Sequence, residues 1–154
     1  MARARRDADD ALIVRRATTR DIPRVAQWNR ELIEDERHDS AAPVEVLAGR
    51  MRTWLAEDYQ ICVFEERGTP AGYALFRELP EWLHLRHFFV ARTHRRRGIG
   101  RRAFARLVAG YFPAGKRVLV EVLVGNRDAV AFWSAIGFAE RYVGMQFSAN
   151  PSSH

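Results

Sequence analysis

The segment from Phe88 to Tyr111 constrains this chain more than any other. Phe88-Phe89-Val90 has the aromatic and β-branched character of a strand end. Arg95-Arg96-Arg97-Gly98-Ile99-Gly100-Arg101 follows as a basic loop with two glycines, and Gly98 to Tyr111 takes up helical period. In that helix Ile99, Ala103, Phe104, Leu107, Val108 and Tyr111 share one face, and Arg101, Arg102 and Arg106 the other. A strand that passes through a glycine loop into a helix start is anion-site geometry. Orphan N–H groups and the positive end of the helix dipole favour phosphate, and the glycines remove side chains that would block backbone approach.

The spacing excludes two familiar phosphate loops. A P-loop needs Lys-Ser or Lys-Thr after its last glycine, where this chain has Arg101-Arg102. The dinucleotide fingerprint needs three glycines as G-x-G-x-x-G, and only Gly98 and Gly100 are in reach. The formal charge of +6 asks for an anionic partner, and nucleic acid, acidic headgroups and a phosphorylated small molecule all qualify on charge alone. Much of that charge is arginine between Arg92 and Arg106, which points to a local anion.

The rest of the chain supplies the frame. With 154 residues and a hydrophobic fraction of 47%, one domain over residues 11–148 is expected, between a flexible N-terminus at 1–10 and a flexible tail at 149–154. Ala11 to Arg15 reads as a strand. Thr18, Thr19 and Asp21 are N-cap candidates, and Pro23 falls in the first turn of a helix whose apolar face is Ile22, Val25, Trp28, Leu32 and Ile33. A second helix starts near Pro43. Tyr59–Glu66 and Ala71–Leu79 read as strands joined by Arg67-Gly68-Thr69-Pro70, and Trp82–Val90 as a third. Val118–Val124 reads as a strand covered on both faces, Arg127–Ile136 as a helix ended by Gly137, and Phe138–Phe147 as one or two further strands. The order of elements is that of a mixed α/β domain.

Cys62 is the only cysteine, so no intrachain disulfide forms, no metal site is expected, and a reducing cytoplasm suits the chain. Ala11–Val14 is too short for the apolar core of a signal peptide, and no run approaches the roughly 20 apolar residues of a membrane helix, so no membrane partner is expected.

The loop resembles the R/Q-x-x-G-x-G/A signature of the GNAT N-acetyltransferase superfamily, with Arg95, Gly98 and Gly100 at the defining positions. Downstream, Asn126, Ala129, Trp133 and Gly137-Phe138 match that family's strand-Asn-x-x-Ala-helix-Gly-Phe pattern, so the resemblance covers residues 11–148. It implies a mostly antiparallel central sheet splayed at the cofactor strand, with helices on both faces. It further implies acetyl-CoA as cosubstrate and a primary amine of a small molecule or peptide as acceptor. The cofactor contacts it implies are Phe88, Phe89, Val90, Arg95, Arg96, Arg97, Gly98, Ile99, Gly100, Arg101, Asn126, Phe132 and Trp133, with Arg92, Arg96, Arg102 or Arg106 for the 3′-phosphate.

For the chemistry, the resemblance gives the backbone N–H of Val90 to the oxyanion, and a histidine or glutamate takes the amine proton. His87, Glu121, Glu78 and Glu34 are the candidates. Glu121 also reads as a strand residue turned to solvent or bonded to a neighbour, His87 as a structural histidine, and Asn126 as a helix N-cap. Glu31, Glu34, Asp35, Glu36, His38 and Asp39 form an acidic stretch that is either a solvated face or an attractor for a cationic amine. The family's usual general acid is a tyrosine at the position of Trp133, whose indole cannot release a proton at useful pH. Tyr142, or unaided departure of the thiolate, fills that role. A basic nucleic-acid-binding module and a CoA-binding sensor without catalysis are the alternative readings. The acceptor's identity and the oligomeric state, a homodimer among the options, stay open.

Overall fold

The computed structural model describes residues 11–37 and 42–149. His38 and Asp39, and the ends at 1–10 and 150–154, lie outside the described residues. In chain order the elements are β1 (Leu12–Arg16), a 3-10 turn (Thr19–Asp21), α1 (Ile22–Arg37), α2 (Val44–Ala56), β2 (Tyr59–Glu66), β3 (Thr69–Glu78) and β4 (Trp82–Val90). A 3-10 turn (Arg92–His94), α3 (Ile99–Gly110), β5 (Arg117–Val120) and α4 (Arg127–Ala135) complete them. The chain divides into two compact units, with the division between Leu123 and Val124. Among the described residues no helix is long and apolar enough to cross a membrane.

The first unit is built on one five-stranded sheet in the order β1-β2-β3-β4-β5, antiparallel except for the parallel pair β4–β5. Period-two alternation sends Ile61, Val63, Tyr73, Leu75 and Phe89 to one face, where they share a core with Ile22, Val25, Ala26 and Trp28 of α1 and Leu47, Ala48 and Met51 of α2. Phe64 and Phe76 point the other way. There Phe76 meets Phe112 edge-on at 5.0 Å, Phe104 meets Phe112 at 6.1 Å, and Ile99, Ala103 and Leu107 of α3 are buried. Val108, expected on that stripe, is instead half exposed. Helices therefore cover both faces of a mixed sheet.

A clasp closes the entry to α1. Arg15 donates to Asp21 at 2.8 Å and to Glu65 at 2.7 Å, tying β1 to the following turn and to β2. The Arg15 hydrogen bond outweighs burial and holds the Asp21 carboxyl down at about 2. Asp21 also accepts from the Thr18 N–H, completing the expected cap around a 3-10 turn before the helix itself begins at Ile22.

Two expectations fail at the C-terminal end. β5 is four residues long and only partly buried, not a strand covered on both faces through Val124; pairing stops at Val120. Phe138–Phe147 forms no regular element, and Val143, Met145 and Phe147 are each more than 80% exposed. Its alternation suits a strand, but a strand needs a ladder partner, and among the described residues the unit that holds it has α4 as its regular element.

The sheet is irregular in two places that matter. Leu75 pairs with His87 but Phe76 with Leu85, so Arg86 is an extra residue, a β-bulge in β4. At the same level the parallel partner ends, since β5 pairs only with Trp82 to Leu85. Next to the far end of β4, the backbone of Gly72 passes so close to β4 that a Cβ there would lie 2.1 Å from the Phe89 carbonyl oxygen. Gly72→Ala therefore forces β3 and β4 apart and is expected to cost about 1–3 kcal/mol, read as a lower urea midpoint. An unchanged midpoint would show that the two strands separate without penalty.

Candidate active site

From Arg86 to Val90 one edge of β4 carries no partner strand among the described residues. The pleat decides which groups face it. The Ala91 N–H donates to Ala71 O at 2.7 Å, and the Phe89 carbonyl is turned toward Gly72, so both residues address β3. Alternation then turns the N–H groups of Phe88 and Val90 to the open edge. The side chain of Phe89 is only 2% exposed and lies in the α1–α2 core, 6.3 Å from the Trp28 ring. Phe89 is thus a core residue rather than a surface for the cofactor.

The loop after β4 is wound tightly. Arg96 has φ +64° and Gly98 φ +73°, two left-handed residues in three, and Gly98 is the N-cap of α3. Such alternation points successive N–H groups into one concavity, beside the orphan N–H groups of the helix start. A side chain at Gly98 would meet nothing within 4 Å, so the concavity is open. Arg96 pays about 1 kcal/mol or more for its backbone conformation, a strain that concentrates at binding loops. Ile99 is buried in the core beneath, so only its backbone faces the cradle.

Most arginines of the loop are already engaged. Arg92 reaches Asp35 at 3.0 Å, Glu31 at 3.4 Å and Glu34 at 3.5 Å, and Arg95 reaches Asp35 at 2.7 Å while its Nε donates to Val90 O at 2.9 Å. Burial pushes the Asp35 carboxyl up, but hydrogen bonds from Arg95 and Arg92 outweigh it and leave the group below its usual value. Arg97 and Arg102 both pair with Glu66. Glu31, Glu34 and Asp35 therefore hold the loop, and serve as neither a bare solvated face nor an open attractor for an amine. Arg96 and Arg101 are exposed and have no ion-pair partner among the described residues. The charges of Arg92, Arg95, Arg97 and Arg102 are thus matched locally by carboxylates.

The proton-transfer candidates separate sharply. The ring of His87 is buried under Trp54 and Tyr73, with Nδ1 3.1 Å from the Tyr73 hydroxyl. Burial, then the charges of Arg86 and His84, push its pKa down to about 3, so it is neutral and a feeble base. Glu34 is tied to Arg30 and Arg92, and Glu78 to Lys116 at 2.7 Å. Glu121 is the first residue past β5, level with the Arg86 bulge, and well exposed, with Oε1 3.2 Å from His84 Nε2. His84 is pulled below its ordinary pKa by burial, against the opposing pull of Glu121. Burial pushes the Cys62 thiol up to about 12, which leaves it inert.

In the second unit Asn126 caps α4, its Oδ1 accepting from the Ala129 N–H at 3.2 Å. Trp133 packs edge-on against Phe132 at 4.9 Å and Phe138 at 5.0 Å, as the core of that unit, and Tyr142 is exposed. Sequence reasoning missed His84, Tyr73 and Arg86. The alternation of Trp82, His84 and Arg86 within one strand is the signal that would have found two of them; Tyr73 becomes a partner of His87 only through the hairpin register.

The sequence model described as the acetyltransferase (GNAT) family matches residues 22–138. No curated protein matches the chain. Among solved structures, a possible acetyltransferase from Clostridium difficile 630 superposes with a TM-score of 0.73 at 15% identity, covering 91% of this chain and 98% of that one. An aminoglycoside N-acetyltransferase, AAC(6')-Iy, in complex with CoA gives 0.72 at 14% identity, covering 89% and 93%. An aminoglycoside acetyltransferase from an uncultured soil metagenomic sample, in complex with sisomicin, gives 0.68 at 18% identity, covering 92% and 99%. At these identities the likeness is one of fold.

The buried neutral His87 has a consequence for stability. Its folded pKa lies below the unfolded value of about 6.5, so the unfolded chain takes up a proton that the folded one refuses as pH falls. Stability is full above that pH and should drop by about 2 kcal/mol between pH 7 and 5, measured by urea titration. His87→Phe should flatten that slope by one proton's worth; an unaltered slope would mean that the imidazole is charged in the fold.

Proposed function

The chain belongs to the acetyltransferase (GNAT) family, and on that premise we propose that it moves an acetyl group from acetyl-CoA to a primary amine by direct attack of the amine on the thioester. The observation that carries this reading is the continuity of two features, the open edge of β4 over 86–90 and the cradle that begins five residues later. A phosphate-bearing chain with a peptide-like arm fits that combination. Phosphates suit the N–H groups of residues 96–100 with Arg96 and Arg101 beside them, and an amide-containing arm suits a strand edge.

The arm would start at the loop and run back along β4. Val90, nearest the loop, offers the first N–H to it. Phe88, one pleat further, offers the N–H that meets the thioester carbonyl oxygen, the role the sequence resemblance gives to Val90. Arg95 holds Val90 from its carbonyl side and keeps this edge in register with the loop. Glu121, level with Arg86 and held by His84, takes the proton of the attacking amine, while His87 fixes the strand from beneath. No tyrosine stands at the position of Trp133, and the thiolate leaves without a donor, which a thiol pKa of about 8.5 allows.

Thiol release from acetyl-CoA across a panel of amines tests the reading directly, and calorimetry with acetyl-CoA tests its cofactor half. Gly98→Glu puts an anion into the cradle on a left-handed residue and should weaken acetyl-CoA binding at least 100-fold while the melting temperature stays within a few degrees. Unaltered affinity would overturn the placement of the pyrophosphate. Glu121→Gln should lower kcat on the order of 100-fold with the KM for acetyl-CoA unchanged; a wild-type kcat would remove Glu121 from the mechanism.

A further inference from the structure

One face of the sheet beside the open edge carries a second concentration of positive charge, separate from the cradle. Tyr59, Arg77 and His84 stand in register across β2, β3 and β4, and Trp82 and Arg86 share that face of β4 with His84. Three guanidinium groups are laid on aromatic rings here. Arg77 lies 5.0 Å from the Tyr59 centroid, Arg86 5.0 Å from that of Trp54, and Arg117 4.1 Å from that of Trp82. Arg86 also donates to the Tyr59 hydroxyl at 3.2 Å.

These arginines differ from those of the loop in one respect. Arg92, Arg95, Arg97 and Arg102 each meet a carboxylate, whereas Arg77, Arg86 and Arg117 meet none among the described residues. The Nε of Arg77 is buried without any hydrogen-bond partner. Arg86 is exposed, and with one N–H on the Tyr59 hydroxyl its guanidinium keeps further donors for a planar acceptor such as a carboxylate. Glu121 stands beside this face and is engaged by His84.

The position is what gives this charge a purpose. Arg86 is the first residue of the open edge and lies two residues, roughly 7 Å, from Phe88. Resting on the acetyl-transfer reading above, we propose that the acceptor is a small primary amine that also carries a carboxylate, an amino acid in chemical class. Its carboxylate pairs with Arg86, with Arg77 on the neighbouring strand adding to the positive field, while its amine lies between Glu121 and the thioester. A polycationic acceptor such as an aminoglycoside would meet like charge at this face and is disfavoured.

The test compares amino acids, their carboxamides and aminoglycosides as acceptors in the thiol-release assay, with wild type, Arg86→Met and Arg86→Ala. Methionine keeps the packing on Trp54 without the charge, and a melting curve confirms that each variant folds. Wild type should turn over the best amino acid with kcat/KM at least tenfold above that of its carboxamide. Both variants should raise the amino acid's KM at least tenfold and leave its carboxamide and the KM for acetyl-CoA within twofold, erasing the preference. Equal turnover of acid and amide, a preference for aminoglycosides, or an equal loss for acid and amide in the variants would overturn the assignment while leaving acetyl transfer intact. Absence of acetyl-CoA binding, or of transfer to any amine in the panel, would overturn the acetyl-transfer reading and this assignment with it.

Discussion

Between Leu85 and His87 the ladder from β4 to β3 gains one residue, and at that level the parallel neighbour β5 stops pairing. The extra residue adds local twist and turns β4 away from β5, so five residues of backbone in the middle of a sheet are left with one edge open. An unsatisfied strand edge is costly when buried and adhesive when exposed. Here the open stretch lies on an inner strand, whereas the other free edges of the sheet belong to its outer strands, β1 and β5. The bulge also sets the faces. Without it His87 and Phe89 would point toward α3; with it they join the core under α1 and α2 beside Tyr73 and Trp28.

The loop that follows depends on that placement. The side chain of Arg95 reaches back to the Val90 carbonyl and across to Asp35, so the end of β4, the loop and the last turns of α1 form one bonded unit. Exposed ion pairs are individually worth about 0–1 kcal/mol, and their contribution is geometric as much as energetic. They hold a strained turn with two left-handed residues in the shape that gathers its N–H groups. Positive charge that looks uniform along the chain is thus divided. Arg92, Arg95, Arg97 and Arg102 serve the architecture, and Arg96 and Arg101 remain exposed without an ion-pair partner among the described residues.

β4 serves two tasks through two of its directions. Its edge presents backbone groups in the plane of the sheet, and its face presents His84, Arg86 and His87 perpendicular to that plane. On the proposed acetyl transfer, a cosubstrate on the edge and an acceptor on the face would approach the same short stretch from different directions without competing for the same groups. The neutral His87 and the hydroxyl of Tyr73 lie beneath, where burial keeps both uncharged and the strand fixed.

The sequence by itself determined the elements whose causes are local. The helix period of Ile99, Ala103 and Leu107, the strand from Trp82 to Val90, the Asn126 cap and the glycine spacing of the loop rest on contacts within a few residues, and all are found where the spacing predicts them. The turn into α3 was legible for the same reason, since the two glycines of the loop mark a close turn at a helix start, and Gly98 is left-handed there. Only the tertiary structure decided which arginines are spent, because Asp35 is 60 residues from Arg95 and Glu66 is 36 residues from Arg102. It also decided that β5 ends at Val120, that Phe138–Phe147 stays out of a strand, and that Arg86 is a bulge. Pairing and register are bonds between segments distant in the chain, and no local pattern of side chains carries them.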